Sequence, residues 1–292
     1  MILLLSSFVL PDAQAADPEV KHVVIVGCDG MSPDGVQKAD SPVIHRLMRE
    51  GAHTFHARAV MPTDSSPNWA SMIMGAGPEQ HGVTSNGWKP DQFDITPIAV
   101  GPGGIFPTIF SVIREQRPQA IMAVFHEWDD FARLLERKMV DKIVHGKDAD
   151  ATIQAAIAYI REKKPLFTFI HLDLVDHAGH QYGHGTPEYY ESVKKADGLT
   201  GEIVKILKET GIYEQTILLV TADHGGKGKK HGGATMGEIE IPWIIVGPGV
   251  APNKEIPDPI DIYDTAATVA YVLGLNPPAC WIARPVKAAF KK

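Results

Sequence analysis

Apolar residues gather in five short runs: His22–Cys28, Ile121–Phe125, Leu166–Leu172, Ile217–Thr221 and Ile241–Val246. The runs are rich in Val, Ile and Leu and do not alternate strictly with polar residues, the pattern of strands covered on both faces, as in a parallel sheet. Between them the spacing turns helical. Ser41-Pro42 supplies an N-cap and a proline at the first helical position. Val43, Ile44, Leu47 and Met48 then form one apolar face, and Gly51 stops the helix. Further helices are predicted over Asp148–Lys163, with Ile153, Ile157 and Ile160 inward, and over Tyr263–Leu273. A longer one runs from Thr186-Pro187 to Thr210, with Tyr190, Val193, Ile203, Ile206 and Leu207 inward. A short helix, Pro67–Met74, has Ser66 at its N-cap and Gly75 at its end. Pro90–Thr108, rich in Pro and Gly, reads as a surface loop. Strands alternating with helices predict an α/β fold, a doubly wound, mostly parallel sheet between helical layers. With no repeat and no shift of composition, residues 16–292 read as one domain.

Composition adds three constraints. The 28 Lys and Arg against 35 Asp and Glu, a net charge of -7, exclude a basic nucleic-acid groove. They leave room for a small anionic substrate, because bound cations reverse a local field. The two cysteines, Cys28 and Cys280, make no disulfide framework and no cysteine zinc site, and Cys28 reads as a small buried hydrophobe. Residues 1–15 read as an export signal, which makes the protein periplasmic or secreted. The apolar run Ile2–Leu10 is too short to span a bilayer, and Ala13-Gln14-Ala15 fits a small-x-small cleavage site. No other stretch is long and apolar enough to span a membrane, and nothing in the sequence speaks to oligomeric state.

In an open α/β sheet, ligands bind beyond the carboxyl ends of the strands. Asp29-Gly30 follows the first strand; Asp173, Asp176, His177 and His180 follow the third; Asp223, His224 and then His231 follow the fourth. Alone, Asp29 reads equally well as a helix-capping residue, and His224-Gly225-Gly226 as a turn. Together, three strands deliver Asp and His to one edge of the sheet, a donor set suited to zinc or another borderline divalent ion. Ser65 lies just ahead of the short helix, where free N–H groups and the helix dipole favour an anion. A metal at its oxygen would stabilise the alkoxide.

This set resembles the alkaline phosphatase superfamily, in particular its type I phosphodiesterase / nucleotide pyrophosphatase branch. The branch carries an aspartate after the first strand, then Pro-Thr-x-Thr-x-Pro-Asn with the second Thr as nucleophile, then Asp-x-x-Gly-His, Asp-His-Gly and a later histidine. Here these are Asp29, Pro62–Asn68 with Ser65 in the nucleophile slot, Asp176 to His180, Asp223-His224-Gly225, and His231. Asn86 stands where the family has an asparagine that holds a phosphate oxygen, and the Asp264–Thr268 stretch is similar too. The resemblance implies a catalytic domain with two divalent ions, zinc or manganese. One ion would be held by Asp29, Ser65, Asp223 and His224, the other by Asp176, His180 and His231; His177 is not carried over as a ligand. It implies in-line attack by Ser65, a phosphoseryl intermediate released by water at the second metal, and oxyanion stabilisation by Asn86 and the Ser66 N–H. Three departures stand out: Ser in place of Thr, a short path from Asp223 to His231 where relatives insert a cap, and Asp64 beside the nucleophile.

The expected substrate is a small phosphorylated molecule, a phosphodiester or nucleotide pyrophosphate rather than a simple monoester, because no arginine follows Ser65 before Arg114. Dedicated phosphatases grip the extra charged oxygens of a monoester with an arginine; here only Arg114 or Arg133, folding back, could do so. Lys227, Lys229 and Lys230 read either as an aid to anion binding or as a solvated loop. The rival readings are an alkaline-phosphatase-like monoesterase, a sulfatase and a non-catalytic metal- or phosphate-binding relative. The sulfatase pattern needs an arginine where Ser65-Ser66-Pro67-Asn68-Trp69 has Trp69.

Overall fold

The computed structural model describes residues 20–292, so the export-signal expectation for residues 1–15 lies outside the described residues. Eight strands form one sheet: β1 (His22–Cys28), β2 (Ala52–Arg58), β3 (Met122–His126), β4 (Lys142–His145), β5 (Phe167–Leu172), β6 (Thr216–Thr221), β7 (Glu240–Val246) and β8 (Lys254–Glu255). Their order is β4-β3-β5-β1-β6-β7-β2-β8, with β7 antiparallel to both its neighbours and every other pair parallel. The five strands read from apolar runs are β1, β3, β5, β6 and β7, and all but the first residues of β1 and β7 are buried. The three unread strands are less apolar: β2 is interrupted by His53, Thr54 and His56, β4 lies half-exposed at one edge, and β8 is two residues long at the other.

The helices are α1 (Pro33–Lys38), α2 (Pro42–Glu50), α3 (Ser65–Met74), α4 (Pro78–His81), α5 (Ile109–Gln116), α6 (Ala149–Lys163), α7 (Leu174–Tyr182), α8 (Pro187–Glu209), α9 (Met236–Ile239) and α10 (Asp264–Val272). Alternate side chains of β5 sort them onto two faces. Phe167 meets Phe110 of α5, and Phe169 and His171 meet Trp69 of α3. On the other face α6 and α7 pack against α8. The fold is thus a mostly parallel, doubly wound sheet between helical layers.

Two caps differ from expectation. Ser41 occupies the N-cap of α2, but its hydroxyl turns back to Val36 O, 2.9 Å away. Asp197 of α8 reaches across instead, accepting from Val43 N at 3.1 Å and Ile44 N at 2.7 Å. At α3 the cap is Asp64 rather than Ser66, and Ser65 is already the first helical residue. The shift of register places both serines in the first turn, where backbone N–H groups have no partner within the helix.

Candidate functional site

Three strand ends and one helix start converge. The amide of Asp29 ends β1 by donating to Leu172 O at 2.8 Å. The next residue, Gly30, has φ +67°, and a Cβ there would lie 2.8 Å from Asp176 Oδ1, so the close approach of these segments requires glycine. Gly30 N also donates to Asp223 Oδ1 at 3.1 Å, joining the ends of β1 and β6. Asp176 and His180 stand one turn apart on α7, with His180 Nε2 3.2 Å from Asp176 Oδ2. His231 arrives on the loop after β6, pinned by Thr63: Gly232 N donates to Thr63 Oγ1 at 3.0 Å, and Thr63 Oγ1 to Gly233 O at 2.7 Å. Its Nδ1 lies 2.9 Å from Thr63 O, which turns Nε2 toward His180 Nε2, 3.1 Å away.

All the expected residues meet here. Asp29, Asp223 and His224 form one group and Asp176, His180 and His231 a second, the donor atoms within each lying inside 4.8 Å of one another. Ser65 Oγ sits 3.2 Å from His224 Nε2, and the residue is only 5% exposed. Asp29 Oδ1, Asp176 Oδ1 and Asp223 Oδ2 are buried without a hydrogen-bond partner. Burial, followed by the charge of Asp176, pushes Asp29 up to about 7. Burial and then Asp29 push Asp223 well above the carboxylate range, and burial pushes His224 down to about 3. The hydrogen bond to Asp176 raises His180 to about 9. Buried carboxylates with orphaned oxygens beside the neutral imidazole of His224 are costly as they stand. The residues therefore fit divalent cations, which would satisfy those oxygens and remove the mutual repulsion.

The surroundings hold features the sequence did not give. Asn86 Oδ1 accepts from Ser66 N at 2.7 Å, so the amide expected to face an oxyanion is already engaged. Arg133 folds back to the site: it donates to Asn86 O, and its Nη2 lies 3.1 Å from Ser66 Oγ. Its Nη1 pairs with Asp130 at 3.1 Å, and its Nε is buried without a partner. Arg114 stays away, bound to Met139 O, Pro118 O, Ala120 O and Asp141. Asp64 Oδ1 lies 3.6 Å from His231 Nδ1, which puts this carboxylate behind a histidine of the second group. His177 is exposed on α7, as are Lys227, Lys229 and Lys230 in their turn, where Lys229 O lies 3.0 Å from His180 Nδ1. His184 packs against Gly179 and Gly226 with both ring nitrogens buried and unpartnered. The sequence offered no signal for it beyond its closeness to His180.

A mostly parallel sheet with Asp and His gathered at its carboxyl edge, around the start of a helix, defines the class: this is an alkaline phosphatase-like fold. A variant of the alkaline phosphatase PafA superposes on 94% of this chain with a TM-score of 0.77 at 12% identity, 100% of that chain being covered. The chain belongs to the type I phosphodiesterase / nucleotide pyrophosphatase family, whose model matches residues 23–101 and 103–232. An inactive variant of murine ectonucleotide pyrophosphatase / phosphodiesterase 5, in complex with AMP, is similar over 88% of this chain and 96% of its own, with a TM-score of 0.74 and 15% identity. In sequence the chain is similar to GPI ethanolamine phosphate transferase 1 of Yarrowia lipolytica, 26% identical over 310 residues, 90% of this chain and 33% of that protein. The chain spans about a third of the length of the curated relatives it matches.

Proposed function

We propose that this chain is a metal-dependent phosphoester hydrolase in which Ser65 is the nucleophile. The observation that carries the reading is the position of Ser65 Oγ, at the first turn of α3 and 3.2 Å from His224 Nε2, beside the carboxylates with orphaned oxygens. Asp29, Asp223 and His224, with Ser65, would hold one divalent cation, and Asp176, His180 and His231 the other; zinc suits this donor set, with manganese the alternative. When bound, the ions supply Lewis-acid charge that favours the serine alkoxide and the phosphoryl oxygens. Ser65 Oγ attacks phosphorus in line and the leaving oxygen departs with the bond's electrons, giving phosphoserine. Water then cleaves the phosphorus–oxygen bond and regenerates the hydroxyl. The Ser65 N–H at the start of α3 and the Asn86 amide nitrogen would offer donors to the charge that develops, Ser66 N being held by Asn86 Oδ1. Thr63 and Asp64 orient His231 from behind, as partners of metal-binding histidines commonly do.

The motif set supports a phosphodiester or nucleotide pyrophosphate substrate, and a relative's complex with AMP is consistent with it. One observation favours a second reading, an alkaline-phosphatase-like monoesterase: Arg133 reaches Ser66 and Asn86, where a fork of N–H donors would grip a doubly charged phosphoryl group. The export pattern of residues 1–15 supports action in the periplasm or outside the cell. The decisive test of the core reading is acid quenching during turnover of a labelled phosphoester. Wild type should trap covalent phosphate, and Ser65→Ala should trap none and lose at least a thousandfold in kcat, roughly 4 kcal/mol. A Ser65→Ala enzyme that retains turnover refutes the assignment.

A further inference from the structure

Asp29 uses its two oxygens differently, and the cause can be traced to β1. Gly27 lies opposite His171 of β5 in the parallel register. A Cβ at Gly27 would stand 2.5 Å from the Trp69 ring, so the glycine makes room for that indole directly on the strand. Trp69 is fully buried and meets His171 edge to face, ring centroids 4.9 Å apart. Trp69 Nε1 donates to Asp29 Oδ2 at 3.0 Å, and His171 Nε2 lies 3.2 Å from the same oxygen. Asp29 Oδ1 has no hydrogen-bond partner and faces His224 Nε2 at 3.4 Å. Trp69 also stands one turn beyond Ser65 on α3, so its indole joins the helix of the serine to the strand of the aspartate.

We infer that Trp69 and His171 are positioning residues: by occupying Oδ2 with two ring N–H donors, they make Asp29 a one-oxygen ligand aimed at the Asp223–His224 group and lock the Ser65 helix to it. The inference rests on the metal-centre reading above. It assigns His171 the tautomer with its proton on Nε2. It also gives Trp69, which occupies the place of the sulfatase arginine, a task of its own. The competing use of the same side chains is a third cation held by Asp29, His171 and Asp173, whose donor atoms lie within 4.8 Å of one another. Against it, Oδ2 already receives the Trp69 N–H.

The test is zinc titration of chelator-stripped full-length protein, in competition with a chromophoric chelator. Trp69→Phe keeps a ring and removes the N–H; His171→Phe does the same, and His171→Gln keeps a donor. Trp69→Phe and His171→Phe should each weaken one of two zinc equivalents about ten- to hundredfold and spare the other. Their kcat should fall while KM holds, and His171→Gln should recover much of the loss. Circular dichroism and the denaturation midpoint of the metal-free variants report folding; if Trp69→Phe fails to fold, the two His171 variants decide. Wild-type affinity at both equivalents in the folded Phe variants overturns the inference. So does a third equivalent that His171→Phe alone removes. A wild-type protein that binds no zinc refutes the metal-centre reading itself, and this inference with it.

Discussion

Ser66 and Arg133 show how far single residues depart from what their types suggest. Ser66 reads in the sequence as a helix cap, yet its hydroxyl meets Arg133 while Asp64 takes the cap position. Arg133 sits in a 3-10 turn, Asp129–Leu134, far along the chain from Ser65, and no spacing rule links the two. Its side chain is only 19% exposed and lies 5.8 Å from the Trp128 ring centroid, so it is held rather than waving in solvent. If the guanidinium grips a dianionic phosphoryl group, Arg133→Ala should cost a hundredfold or more in kcat/KM for p-nitrophenyl phosphate, about 2.7 kcal/mol. The loss on the bis-ester should be far smaller. Equal losses on both substrates would show instead that the arginine only braces Asn86 and Ser66, and would favour the diester reading.

Elements were legible where burial wrote the pattern, and illegible where a distant partner did. β1, β3, β5, β6 and β7 are buried on both faces, so their apolar runs stand out. β4 and β8, at the two edges, carry little apolar signal. The candidate site was legible for a similar reason. Its Asp and His residues stand in the segments that follow strands, whereas Trp69 and His171 lie within α3 and β5 and pass for core. The cap of α2 is the clearest long-range case, since Asp197 lies on α8, and it yields a stability prediction. Asp197→Ala would leave Val43 N and Ile44 N without their acceptors and should destabilise the fold by about 2 kcal/mol. Urea denaturation should show a lower midpoint at unchanged slope. Asp197→Asn, which keeps one acceptor oxygen, should lose less.

At the scale of the whole molecule, buried neutral histidines set the response to acid. His81 is the clearest case outside the candidate site: it is buried, holds Val83 N at 3.0 Å and Ser71 Oγ at 2.9 Å, and burial pushes it down to about 3. Its folded pKa lies below the ordinary value of 6.5, so the unfolded chain takes up the proton first. The stability it contributes is complete above pH 6.5 and drains away as pH falls toward 3, at roughly 1 kcal/mol per pH unit. Denaturation of chelator-treated protein at pH 7.5 and 5 should show that loss, and His81→Gln should show a smaller one; an unchanged difference would acquit this histidine. The order of the sheet carries a further consequence, for the protein's synthesis. β1 leaves the ribosome early but lies between β5 and β6, and His224 and His231 come later still. At ordinary rates of translation, about ten to forty seconds separate Cys28 from His231. Until β5 and then β6 follow it, an apolar strand has no neighbours to pair with and invites chaperones, and until His224 is made neither Asp/His group is complete. Any capture of a cation by either group would have to wait for His224, and a ribosome stalled ahead of it would hold a nascent chain with neither Asp/His group complete.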